Sequence, residues 1–513
     1  MILRGENEKD DRVSAGHRAT LDELFRRAGV RSSSALALID PPNRETCITG
    51  APRQLTFAQT DRAISALAAR LGGLGLQTDS IVAVQLANTV ENIITLMAIL
   101  RAGMIAMPLP LMWRRHELTS ALRQIGAKAV ITASRIGAVA HADIAVEVAA
   151  DVFPIRYICA FGENLPDGVM PLDDIFSADQ PASVPRPAHA AGDHPADHVA
   201  IITLDVTPTG LIPVARSHMQ LLAGGATVFL EAGAPQNARI LSAIPPSSFA
   251  GIALTILPWL TGGGTLSLHH GFEPGTFATQ TTEQDVIVLP GAAVTPLAQS
   301  GLLAGKAKTI LALWRSPEQL VMAPAWRAAP TLVDVASFGE IALLAARRGS
   351  DHLPADIPHG RVRAPRANGT IAVAETARSK QGTLLVRGAM VPVHAFPPGV
   401  ERVSAPFLSA DEAGFVDTGC TCRLDTPAQT LVVTGPPGGI ATIGGYRFRA
   451  ADLEAQVAAV DQTATLVALP GGLLAQKLAG SAFDNAAVAA QLLENGVNPL
   501  IAGAFRPRKA QAA

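Results

Sequence analysis

From residue 55 onward, helix-like and strand-like segments alternate so regularly that few folds can hold them. The stretch LTFAQTDRAISALAARLGGLG places Ala63, Ile64, Leu67 and Leu71 at helical spacing behind Thr56, a residue type that caps helix starts, and Gly72 and Gly73 close it. SIVAVQLAN then reads as a β-rich run and ENIITLMAILRAG as an apolar helix ending at Gly103. MIAMPLPL follows as an extended segment, HELTSALRQIGA as a third helix and AKAVITA as a short buried strand. Strands separated by helices of this length predict βαβ units and a mostly parallel sheet flanked by helices, an α/β fold.

The alternation pauses over residues 174–197, which are rich in Pro, Ala and polar side chains and read as a connector. It resumes at HVAIITL and runs to about Ala345, then turns more β-like, with GTLLVRGAMVPVHAF the clearest piece. GPPGG at 435–439 cannot hold regular structure. It divides the 513 residues into a large N-terminal domain, 1–434, and a small, short C-terminal α+β domain, 435–513.

Composition removes several function classes. A net charge of -2 and 4% aromatic residues leave no basic field and few stacking platforms, so nucleic acid is not an expected partner. Four scattered cysteines cannot form a disulfide framework, which fits a reducing, cytoplasmic setting. Cys420 and Cys422 form a C-x-C pair without the further ligands of a tetrahedral metal site. The start, MILRGENEKDDR, has no apolar core of a signal peptide. Ile240–Leu268 carries no charged residue and is long enough to span a bilayer, but Pro245, Pro246, Pro258 and Gly262–Gly264 argue instead for a buried helix between two core strands. No membrane span is expected. GGLG at 72–75 follows a helix rather than a strand, the wrong context for a dinucleotide loop, so a nicotinamide dehydrogenase is disfavoured.

Five segments in this order, LTFAQTDRAISALAARLGGLG with VAVQLANTVENIITLMAILRAGMIAMPL, LPWLTGGGTLSLHHGFEP, DEAGFVDTG and GGYRFRAADLEAQV, resemble the adenylate-forming superfamily of acyl-CoA synthetases, luciferases and adenylation domains. The resemblance covers nearly the whole chain and implies ATP, Mg2+ and coenzyme A as cofactors and a carboxylic acid or acyl group as ligand. In that family a flexible Gly, Ser and Thr loop with a lysine surrounds the triphosphate, because amide donors and a cation must neutralise it. Here the loop aligns with LDVTPTGLIP, 204–213: Thr207 is kept, Gly210 can stand in for a displaced glycine, Val206 and Thr209 replace glycines, Ile212 replaces the lysine, and Asp205 is a new carboxylate. The resemblance makes Glu340 of ASFGE the magnesium ligand and sets His218 and Thr418 beside the nucleotide. Cys420 replaces the ribose-binding aspartate, Pro436 an arginine, and Ser248 an acyl-pocket aromatic. Trp314 falls where adenine would border, and Lys509 is the only lysine near the end.

Each of these residues also has a plainer reading: Glu340 as a strand-end carboxylate, Thr207 as a turn cap, His218 as a packed residue at a helix start, Gly444 and Gly445 as a tight turn. Losing charge-assisted contacts at Ile212 and Cys420 costs about 1.5–3 kcal/mol each, and Asp205 facing the triphosphate at close range adds up to about 4 kcal/mol of repulsion. These terms favour a pseudoenzyme that binds an acyl ligand or a protein partner. The alternative is an active acid-thiol ligase in which Gly210 and Arg216 rebuild the phosphate site.

Overall fold

The computed structural model describes residues 18–177, 194–364, 371–400, 406–471 and 476–505. Most of the expected connector at 174–197, and Lys509, lie outside them.

Two parallel-rich sheets dominate. In the seven-stranded one the order is Met170–Pro171, Tyr157–Phe161, Ala129–Ala133, Ile81–Val84, Ile105–Pro108, Val199–Thr207, Gly210–Ser217. Every pairing is parallel except the last, which is antiparallel. The eight-stranded sheet runs Ala342–Arg347, Thr331–Phe338, Thr309–Trp314, Val286–Pro290, Arg239–Ser242, Thr265–Leu268, Leu36–Ile39, Gln54–Thr56. Its six inner strands are parallel and both edge pairings antiparallel. Fully buried strands such as Ile81–Val84 read as unbroken apolar runs because helices cover both faces.

The helices start and stop as their sequences dictate. Thr56 caps Phe57–Gly73 through a capping box with Gln59, and Gly126 ends Arg115–Ile125 in the left-handed region at φ 70°. Between the strands Arg239–Ser242 and Thr265–Leu268 the uncharged segment forms two short helices, Phe249–Leu254 and Ile256–Gly262, rather than the single helix expected. Thr255, at φ -113°, interrupts them, and Pro258 has no amide to bond back across that break. The helix His218–Ala232 lies on this pair almost at backbone contact: a Cβ on Gly224 would overlap the Phe249 ring and one on Gly225 the Leu257 side chain. Among the described residues no helix is long and apolar enough to cross a membrane.

A third, six-stranded sheet, built from strands between Ile357 and Gly435, is antiparallel throughout. It lies where the sequence turns more β-like, and adds an antiparallel layer to the two parallel-rich sheets. The last sheet, Tyr446–Arg449, Ile440–Ile443, Gln476–Ser481 and Thr465–Pro470, packs under Ala450–Ala458 and Asn485–Glu494 on a core drawn wholly from residues 441–505. Gly444 and Gly445, at φ 59° and 81°, make the two-residue turn of its first hairpin.

Candidate functional site

Where the resemblance implies a phosphate loop, the chain forms a β-hairpin. Val199–Thr207 pairs with Gly210–Ser217 in unbroken register from Leu204 opposite Pro213 to Thr207 opposite Gly210, with Pro208 and Thr209 alone at the turn. The Thr207 hydroxyl donates to the Gly210 carbonyl at 2.8 Å and lies 3.0 Å from the Thr209 hydroxyl. Gly210 sits at φ 137°, a region open to glycine, with Pro406 packed where a Cβ would point. Ile212, in the lysine position, packs against the main core.

Asp205 is buried and does not stand as a bare charge facing a ligand. Its Oδ1 accepts from Nη1 of Arg447, on the strand Tyr446–Arg449, at 3.2 Å, and the Nη2 of Arg447 lies 3.9 Å from the Cys420 sulfur. The pair fits because Gly339, at φ 59°, has no Cβ; one there would overlap the Asp205 carboxylate. Burial pushes the Asp205 carboxyl up, and Arg447 pulls it back.

A cavity of about 60 Å³ lies beside this pair, lined by Asp205, Ser248, Arg315, Gly339, Glu340, Tyr446 and Arg447 among others. The Glu340 carboxylate accepts the Phe249 amide at 2.7 Å, and burial pushes its proton affinity up, reinforced by Asp205. Ser248 caps Phe249–Leu254 and accepts from Nη2 of Arg315 at 3.2 Å. A more apolar pocket of about 200 Å³ adjoins, sharing Arg315, Gly445 and Tyr446 and lined by Ile244, Pro290, Leu313 and Trp314. Trp314 is held there by its indole N–H to Asp334 at 2.8 Å and covers Gly291, where a Cβ would overlap the ring.

The remaining sequence candidates lie apart from the cavity. The His218 Nδ1 accepts the Leu21 amide at 3.2 Å behind the Ser217 cap, and the Thr418 hydroxyl donates to the Leu384 carbonyl at 2.9 Å. Arg216 is not placed to meet phosphate: it donates to the carbonyls of Glu340, Ile341 and Met390 and stacks 3.7 Å from the Phe249 ring centroid. Burial lowers its pKa to about 9. Sequence alone does not single out Arg315 or Arg447, although Arg447 lies in GGYRFRAADLEAQV, which carries the resemblance, and Arg315 directly follows Trp314.

Residues 25–315, more than half of the chain, match the family model for the AMP-binding enzyme. The chain belongs to the AMP-binding enzyme family. It is 26% identical to the feruloyl-CoA synthase of an Amycolatopsis species over 238 residues, 46% of this chain and 43% of that protein. To tyrocidine synthase 1 of Brevibacillus parabrevis it is 32% identical over 89 residues, 17% of this chain and 8% of that protein. The AMP-binding chain thus matches less than half the length of either relative. Among solved structures it is similar to the amide bond synthetase McbA from Marinactinospora thermotolerans, with TM-score 0.70, 17% identity and 94% of each chain covered. Apo MbtA of Mycobacterium smegmatis gives 0.66 and 22%, covering 94% of this chain and 90% of that one. ATP-bound MatB from Rhodopseudomonas palustris gives 0.59 and 19%, covering 93% and 92%. At these identities the likeness establishes the α/β fold and nothing of the chemistry.

Proposed function

We propose that this AMP-binding family protein keeps the family's fold but does not make an acyl-adenylate, and that it acts as a ligand-binding or partner-binding relative of acyl-CoA synthetases. The hairpin at 204–213 carries the reading. A triphosphate cradle needs backbone amides free to turn toward the anion and a cation beside them. Here the backbone is paired in a cross-strand ladder, Ile212 is partly buried against the core, and Nε and Nη2 of Arg216 are taken by carbonyls. Arg447, the cation beside the hairpin, is paired with Asp205. These residues do not fit ATP, and no step through it is derived.

Magnesium finds one partly engaged carboxylate: Glu340 accepts a backbone amide on Oε2 alone, but the nearby carboxylate, Asp205, is tied to Arg447. Pairing with Arg447 also removes the repulsion expected from Asp205, so the deficit rests on Ile212 and Cys420. Two lost charge-assisted contacts weaken ATP binding by about 10²–10⁴-fold.

The apolar pocket beside Arg315 supports a carboxylic acid or acyl ligand. Four free, buried cysteines support a reducing, cytoplasmic setting, and the separate core of residues 441–505 supports a small domain spanning 435–513.

Acid-dependent exchange of pyrophosphate into ATP tests the reading. The purified protein is expected to show none above background with Mg2+ and a panel of carboxylic acids. Exchange at the turnover of an ordinary ligase would establish the alternative, an active acid-thiol ligase with a rearranged phosphate site, and would make Glu340, Thr207 and Gly210 the first residues to mutate.

A further inference from the structure

We infer that Asp205 and Arg447 form a latch that holds the small C-terminal module in one orientation, with its Gly444–Arg447 turn seated against the hairpin. Asp205 belongs to a strand paired on both sides within the seven-stranded sheet, while Arg447 lies on a strand of the four-stranded sheet 242 positions later. The connection between the two bodies is the short segment Pro436–Gly439. Among the described residues, this is the one ion pair that joins residues before 436 to residues after 439.

Its setting makes it costly to break. The side chains are 3% and 10% exposed, so water screens the attraction little. The backbone amides of Glu340 and Val206 favour the charged form of Asp205. Removing either partner strands the other charge in the junction, a larger loss than that of an exposed pair. The other polar contacts across the junction are longer and join no second charge, with Arg315 Nη1 3.5 Å from the Gly445 carbonyl, Arg447 Nη2 3.9 Å from the Cys420 sulfur and the His116 amide 3.4 Å from the Gly496 carbonyl. The pair is therefore the ionic tie between the two bodies, added to the side-chain packing around it. The latch also brings the small module to the cavity, whose wall includes Tyr446 and Arg447 together with Leu204, Asp205 and Val206 of the hairpin.

The test is a distance measurement on the full chain without nucleotide, using spin labels at Asp143→Cys and Glu454→Cys, both exposed, while the native cysteines are buried. The otherwise wild-type chain is expected to give one narrow distance distribution. Arg447→Gln and Asp205→Asn are each expected to raise the population away from that distance by at least about tenfold. Arg447→Lys should retain most of the narrow component. The double variant should be no more open than either single one, because both remove the same interaction. Circular dichroism verifies that each variant is folded; if Asp205→Asn is not, Arg447→Gln and Arg447→Lys decide. Unchanged distributions in the folded variants, or a broad one in the parent, would overturn the latch. No ATP enters the measurement, so it can fail while the absence of pyrophosphate exchange stands, and the reverse.

Discussion

Replacing Glu91 with alanine is expected to lower the free energy of unfolding by about 3 kcal/mol, the low end for breaking a buried pair, because Arg44 loses its bidentate partner but keeps Asp40. Glu91 is fully buried in the first turn of Val90–Arg101 and accepts from Arg44 at 2.7 and 2.8 Å and from Arg53. Arg44, 1% exposed, also donates to Asp40 at 2.9 Å and to the carbonyls of Thr49 and Gly50. Burial alone would push the Glu91 carboxyl up, but Arg44 and Arg53 overcome it and hold the group below its ordinary value. Asp40 in turn accepts the amides of Val90 and Arg53, so the cluster pins the 40–53 segment to that helix start. Urea unfolding checks the effect, as a lower midpoint with an unchanged slope. A loss under about 1 kcal/mol would mean that the cluster relaxes or admits water.

His270→Gln carries an effect of similar size, and it depends on pH. Burial, with His269 and His141 nearby, lowers the His270 pKa from 6.5 to about 4. Between those values the unfolded chain binds a proton that the folded chain refuses. The native state therefore loses stability as pH falls through 6.5, and the loss is complete below about 4. Asp40, raised to about 6, acts in the opposite sense, because the folded chain takes up its proton first. The difference between parent and variant isolates the histidine. On going from pH 7 to pH 4, His270→Gln should gain about 3 kcal/mol relative to the parent. A difference that stays constant with pH would show that His270 titrates normally.

Local structure was legible because its causes are local. The Thr56 cap, the Gly126 stop and the buried strand Ala129–Ala133 follow from neighbours a few positions away. Sheet order does not: nothing near Leu36–Ile39 specifies that it pairs with Thr265–Leu268. The site divides in the same way. Glu340, Ser248 and Asp205 come from three separate motifs and line one cavity, while Arg447 joins them only through the docking of a second core. Thr207 and Gly210 were read as parts of a loop because the resemblance supplied one. The residues themselves, β-rich VAIITLDVT and GLIPVARS on either side of Pro-Thr, already had the pattern of a hairpin.

That hairpin makes the change difficult to reverse in small steps. A flexible anion loop can lose its lysine and regain it, since nothing else depends on the position. Once the segment has zipped into an edge ribbon, Ile212 is paired opposite Asp205 across the strands and is partly buried against the core. A lysine restored at 212 would enter a structure with no anion-facing amides, next to a carboxylate already claimed by Arg447. Building an anion loop there would need the turn, the opposing strand and the docked arginine to change together, so each additional cross-strand pair works as a ratchet tooth against such a loop.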